Sequence, residues 1–174
     1  MIINAHRTND KETLRHTTLM VKNIPARLTQ AEIMSLFDEK FQGTYDYFYL
    51  PIDRRTKQSC GFCFINMVDA IFILDFYLEF NCIKWSDRVP RCQSPKMSEI
   101  VYATVQGLDE LVSELKGTSV MNKCKAQKPL FLKHNMTYNM HDRIVAIENK
   151  YLNDARWIAF YKDMLKWFST HKTN

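Results

Sequence analysis

Two short apolar segments, well separated in the chain, constrain its fold most strongly. They are Leu19–Ile24 and Cys60–Met67, and the second follows a basic, turn-prone loop. Both show the alternation of β-strands, in which successive side chains point to opposite faces of a sheet. In the second segment Phe62 and Phe64 therefore share one face, while Cys63 points to the other. The pair predicts two strands of one sheet that carries aromatic rings on one side.

Helix and strand signals alternate through the first two thirds of the chain. A capping-box pattern at Thr29 opens a helix, with an apolar face made of Ile33, Leu36, Phe37 and Phe41. A second helix is predicted over residues 68–80, with one apolar side made of Ile71, Leu74 and Leu78. Strands are predicted over 17–24, 45–52, 61–67 and 100–105. The order βαββαβ predicts an α+β, ferredoxin-like fold with a four-stranded antiparallel sheet.

The two apolar segments resemble the signature strands of RNA recognition motifs, whose open sheet face stacks bases. More specifically, residues 17–132 resemble the Mei-two-like RNA recognition motifs, a family named after a fungal meiosis regulator and also found in plants. Further matching segments are Gly43–Asp53, Phe76–Trp85, Tyr102–Gly107 and Lys128–Phe131. The resemblance implies single-stranded RNA binding and a role in meiosis, developmental switching or the post-transcriptional fate of RNA.

Strand alternation predicts which side chains reach the open face. Phe62 and Phe64 lie there in the family's motif, and Met20 takes the aromatic position of the shorter signature. The residues predicted to contact RNA from the sheet are Met20, Lys22, Tyr47, Tyr49, Phe62, Phe64 and Val101. In the alternative interpretation, the C-terminal tail covers the phenylalanines.

Two basic segments are candidates for contacts with phosphate. The first is the loop between the second and third strands, with Arg54, Arg55 and Lys57. The second follows the fourth strand and contains Lys123, Lys125, Lys128 and Lys133. Binding along an RNA backbone would make the affinity depend on salt. Both segments are equally consistent with solvated surface, because short charge runs are common at turns.

The chain continues beyond the predicted βαββαβ unit. A helix is predicted over 108–116 and a basic connector over 123–134. The tail from 135 carries apolar residues at helical spacing, namely Trp157, Tyr161, Met164 and Phe168. We expect a flexible arm over 1–16, a domain over 17–134 and an amphipathic helical extension over 135–174. We expect the tail to pack on its own domain, to bind a protein partner or to form a homodimer.

Composition narrows the remaining choices. The chain has 174 residues and a net charge of +5, which permits an anionic partner without requiring one. Five cysteines without a regular framework predict a reduced protein of the nucleus or cytoplasm, and no apolar run approaches the roughly 20 residues of a membrane span. Cys60 and Cys63 point to opposite sides of a strand and cannot share a metal.

No nucleophile with a base and no glycine-rich phosphate loop is present, so neither catalysis nor a cofactor is expected. The alternative to RNA binding is a protein-interaction module, in which the sheet or the C-terminal helices dock a partner.

Overall fold

The computed structural model describes residues 16–132 of the chain. Its strands are β1 (Thr18–Lys22), β2 (Tyr45–Tyr49), β3 (Cys63–Met67), β4 (Glu99–Tyr102) and β5 (Leu130–Phe131). Its helices are α1 (Gln30–Phe41), α2 (Ile71–Phe80), α3 (Trp85–Arg88) and α4 (Leu108–Leu115). Two 3-10 turns, Ser119–Asn122 and Lys125–Gln127, precede β5. Among these residues, no helix has the length and apolarity that crossing a membrane requires.

The strands form one antiparallel sheet in the order β4-β1-β3-β2-β5. The prediction of an α+β fold with the βαββαβ order is confirmed, but the sheet has five strands rather than four. The additional strand, β5, pairs with the outer edge of β2, where Phe131 lies opposite Tyr47. Sequence reasoning assigned it to the basic connector, because it has only two residues and follows Pro129.

One face of the sheet packs against α1 and α2 to form the main core. Leu19 and Val21 of β1 and Ile65 of β3 point into it. Phe37 of α1 meets Phe76 of α2 edge-on, with ring centroids 4.9 Å apart. Edge-to-face aromatic pairs of this kind add about 0.5–1.5 kcal/mol beyond the area that they bury.

The two helices differ in how well their apolar faces were predicted. All four residues predicted for α1 are buried. In α2 the predicted Ile71 and Leu74 are buried but Leu78 is 40% exposed, and the face turned to the core also carries Phe72, Phe76 and Phe80. This correction has a simple cause: α2 is apolar almost all round, so its periodicity does not single out one face.

The start of α1 is fixed by a capping box that also holds a distant loop. Thr29 Oγ1 accepts a hydrogen bond from the Glu32 amide, and Glu32 Oε2 accepts one from the Thr29 amide. The Arg91 guanidinium donates to the same carboxylate. The hydrogen bond from Arg91 is the main cause that lowers the pKa of Glu32 from 4.5 to about 2, and those from Thr29 contribute.

Glu32 therefore makes the stability of the fold depend on pH. A carboxyl group with a lowered pKa in the folded state stabilises it above the unfolded pKa, and this contribution is lost as the pH falls. At neutral pH we expect the native chain to have a higher free energy of unfolding than the Glu32→Gln variant. The difference should shrink as the pH falls from 4.5 towards 2. Urea unfolding of both proteins across this range measures it, and a difference that stays constant would contradict the assignment.

Candidate nucleic-acid interface

The sheet face opposite α1 and α2 is divided into an accessible half and a covered half. The accessible half lies on β4, β1 and β3, where Met20 of β1 has Phe64 and Val101 as its cross-strand neighbours. With Lys22 and Phe62, these residues are partly exposed. We call this surface the open patch, and it consists of Met20, Lys22, Phe62, Phe64 and Val101.

Phe62 and Phe64 give the open patch its aromatic character. Their rings meet edge-on, with centroids 5.6 Å apart. Gly61 has a φ of +90°, a left-handed conformation that glycine adopts without strain. Its carbonyl accepts a hydrogen bond of 2.8 Å from the Ile24 amide, which fixes the entry into β3 beside the end of β1.

Lys22 places the one positive charge of the open patch at the edge where β1 ends. Its Nζ lies 3.7 Å from Oε1 of Glu99, its cross-strand neighbour on β4. Both side chains are substantially exposed, and an exposed ion pair of this kind contributes about 0–1 kcal/mol. A phosphate can therefore replace Glu99 as the partner of Lys22 at little cost.

The covered half of the face lies under α4. Tyr47 and Tyr49 point to this face as predicted, but they are only 2% and 9% exposed. Leu111 of α4 packs directly on them, and the partly buried residues around this cluster include Phe64, Leu108, Leu115 and Val120. Burial raises the pKa of the Tyr47 phenol. The prediction that the two tyrosines stack on RNA is wrong for this arrangement, because a helix occupies the space that bases would need.

A buried polar network holds the segment before α4 on the sheet. The Asn66 side chain accepts from the Thr18 hydroxyl at 2.8 Å and donates to Asp46 at 2.7 Å. Gln106 Oε1 accepts from the Thr18 amide, and Gln106 Nε2 donates to the Thr18 carbonyl. The Gly107 amide donates to the Thr18 hydroxyl at 2.9 Å. Sequence reasoning missed these residues, because hydrogen bonds across the sheet leave no periodic signal.

The basic loop between β2 and β3 has a defined conformation. Asp53 Oδ1 accepts hydrogen bonds from the amides of Arg55 and Thr56 and from the Thr56 hydroxyl. These bonds, above all that from the Thr56 amide, lower the pKa of the Asp53 carboxyl. Lys57 has a φ of +59°, and its amide donates to the Asp53 carbonyl at 2.9 Å. The loop thus presents its cations from a tight turn.

The structure brings the two predicted basic segments together. The Arg54 guanidinium donates to the hydroxyl of Ser119, which begins the first 3-10 turn. Lys123 follows this turn, whereas the Lys128 carbonyl accepts a bond from Gln30. Arg55 is exposed, Lys125 begins the second 3-10 turn, and Lys133 lies outside the described residues.

Cys60 and Cys63 lie in different environments rather than at one site. Cys60 is exposed and Cys63 is buried in the main core, where burial raises the pKa of its thiol. Within residues 16–132, no group of three or more His, Cys, Asp or Glu side chains could hold a metal. The predicted partner-binding residues Trp157, Tyr161, Met164 and Phe168 lie outside the described residues, as do the arm before residue 16 and the predicted helical extension.

The sequence profile of the family called RNA recognition motif 2 matches residues 16–116. The chain belongs to this family. Protein MEI2-like 2 of Oryza sativa subsp. japonica is 40% identical over 119 residues, which are 68% of this chain and 14% of the rice protein. Protein MEI2-like 5 of Arabidopsis thaliana is 36% identical over 134 residues, or 77% of this chain and 16% of that protein.

These two relatives bear out the resemblance to Mei-two-like RNA recognition motifs, and the chain spans only about one seventh of their length. Among solved structures, the Rna15 RNA recognition motif with bound RNA (GU) has a TM-score of 0.43 at 16% identity. That match covers 56% of this chain and 93% of the Rna15 chain.

The packing of α4 on the sheet can be tested with two matched leucines. Leu111 is 6% exposed and Leu78 is 40% exposed. We expect Leu111→Ala to lower the free energy of unfolding by about 2 kcal/mol or more, because it leaves a cavity over the tyrosines. The control Leu78→Ala should change it by less than about 0.5 kcal/mol. Equal effects of the two substitutions in urea unfolding would show that α4 does not cover the sheet.

Proposed function

We propose that this RNA recognition motif binds single-stranded RNA on the open patch. The observation that carries the proposal is the pair of partly exposed rings of Phe62 and Phe64, 5.6 Å apart on the sheet face of an RNA recognition motif. Bases stack on such rings whatever their identity, because every base has a π-face. Met20 on β1, next to β3, and Val101 on β4, next to β1, extend the apolar surface.

The energetics require contacts beyond the two rings. Stacking contributes about 1–3 kcal/mol per base, so two stacked bases supply about 2–6 kcal/mol. Micromolar binding needs about 8 kcal/mol. Lys22 and the basic loop with Arg54, Arg55 and Lys57 are the candidates to supply the remainder through phosphates. Because these cations are exposed or partly exposed, their contribution falls as salt rises.

The proposal extends to the protein's role by similarity. Relatives named MEI2-like support a role in regulating meiosis or the post-transcriptional fate of RNA. A protein with this role works in the nucleus or the cytoplasm and binds its RNA rather than reacting with it. For the tail we further propose that it docks a protein partner or a second copy of the chain. The residues proposed for this contact are Trp157, Tyr161, Met164 and Phe168.

Phe62→Ala tests the open patch most cleanly, since Phe62 belongs to neither buried cluster whereas Phe64 packs beside Tyr47 and Tyr49. We expect it to weaken binding to a random single-stranded RNA pool by about 5- to 150-fold, or about 1–3 kcal/mol, through the loss of one stacked base. Leu78→Ala, which truncates an exposed apolar side chain on α2, should leave the affinity unchanged.

Fluorescence anisotropy with labelled RNA measures both variants against the native chain, and circular dichroism establishes that each is folded. A native chain that does not bind the pool would refute RNA binding. Equal affinities of the native chain and folded Phe62→Ala would instead remove the open patch from the interface.

A further inference from the structure

A small basic cavity lies between the β2–β3 loop and the turns that follow α4. Its volume is about 260 Å³, enough for a phosphate group and part of its nucleotide. Its polar lining residues include Arg54, Lys57, Ser119, Asn122, Lys123 and Gln127. We call it the loop cavity. It joins segments that are 65 residues apart in sequence at the contact of Arg54 with Ser119.

Both walls of the loop cavity are held in place by backbone structure. On one side, the Asp53 amide donates to the Gln58 carbonyl at 2.8 Å, and an isolated bridge joins Ile52 to Ser59. On the other side, the Gln127 amide donates to the Cys124 carbonyl at 2.9 Å. β5 then attaches the same segment to the edge of β2. The cations therefore face a site that is already formed.

Three cations and one carboxylate line the loop cavity, so its net charge is positive. Within residues 16–132, Arg54, Lys57 and Lys123 take part in no ion pair. Asp53 also lines the cavity, but its Oδ1 already accepts three hydrogen bonds from the loop. Arg54 uses one N–H on Ser119, and a guanidinium has five. Three cations against one carboxylate, whose Oδ1 is already bonded within the loop, leave a net positive site for an anion.

The loop cavity and the open patch lie at the same end of the sheet. β1 ends at Lys22, β3 begins just after Phe62, and the β2–β3 loop leaves and re-enters the sheet between Tyr49 and Cys63. Antiparallel strands bring these ends together, and neighbouring strands are about 4.8 Å apart. A single strand of RNA that stacks on Phe62 is therefore within a few nucleotides of Arg54.

We propose that the loop cavity binds a phosphodiester group of the RNA strand whose bases stack on the open patch. Lys57 and Lys123 contact the phosphate as cations, and Arg54, oriented by Ser119, supplies further N–H donors. The neutral side chains of Asn122 and Gln127 can bind the attached sugar. This inference rests on the proposed function, and it assigns part of the affinity to a site beside the sheet rather than on it.

The test removes two charges from the loop cavity in the full chain by Lys57→Asn with Lys123→Gln. Asparagine tolerates the left-handed backbone of residue 57, so the loop keeps its conformation. The matched control is Lys84→Asn with Lys96→Gln, which removes the same charge from exposed residues before β4, at the opposite edge of the sheet. Affinity for one RNA selected from the random pool is measured as a function of salt concentration.

We expect the cavity variant to bind more weakly and to lose about 0.7 from the slope of log affinity against log salt, because the cavity neutralises one phosphate. The affinity ratio of the native chain to the cavity variant should narrow about 5-fold over a tenfold rise in salt. The control variant and Phe62→Ala should keep the native slope. RNA should also shift the amide resonances of Ser119, Asn122 and Lys123 in the native chain.

The outcomes separate this inference from the proposed function. If the native chain binds RNA and Phe62→Ala weakens it, but the cavity variant keeps the native slope, the loop cavity is not part of the interface. Equal changes of slope in the cavity and control variants would mean that only net charge matters, which also overturns the inference. The same amide shifts with inorganic phosphate, at the concentration of the RNA, would identify a free-phosphate site instead. No RNA binding by the native chain would overturn both proposals.

Discussion

The antiparallel pairing of β1 with β3 is the constraint on which both faces of the sheet depend. Its register sets Leu19 opposite Ile65 and Met20 opposite Phe64. The first pair lies in the main core and the second lies on the open face. Because side chains alternate, a slip of one residue would move phenylalanine into the core and core side chains to the surface. The burial of the core therefore selects the register that exposes the open patch.

The same central strands determine where α4 lies. Asn66, near the end of β3, accepts from Thr18 and donates to Asp46, and Thr18 in turn bonds Gln106 and Gly107. A buried polar group left without a partner costs about 1–3 kcal/mol. Moving the start of α4 away from the sheet would break several of these bonds together, in addition to uncovering the tyrosines. The cover over β2 is thus tied to the sheet by polar and apolar contacts.

Alternation and helical period were sufficient for predicting the parts of the fold that depend on neighbouring residues. The capping box at Thr29, the buried face of α1 and the sides on which Tyr47 and Phe48 lie all follow from local spacing. Strand alternation states which face a side chain is on, but not what else packs on that face. The burial of Tyr47 depends on Leu111, which is far away in sequence. The loop cavity could not be predicted from the sequence either, because it arises where two separate charge runs meet.

The position of α4 shapes the interface that remains. On the described surface, the rings of Phe62 and Phe64 and the apolar residues of β1 and β4 are partly exposed, while Leu111 of α4 covers the rings of β2. Fewer stacked bases supply less free energy than an uncovered sheet would, since each contributes about 1–3 kcal/mol. The three cations of the loop cavity lie beside the covered strand, where they can offset this loss. The proposed interface leaves base contacts to β1 and β3 and assigns much of the affinity to phosphates. We therefore expect salt to change how tightly the domain binds more than which bases it selects.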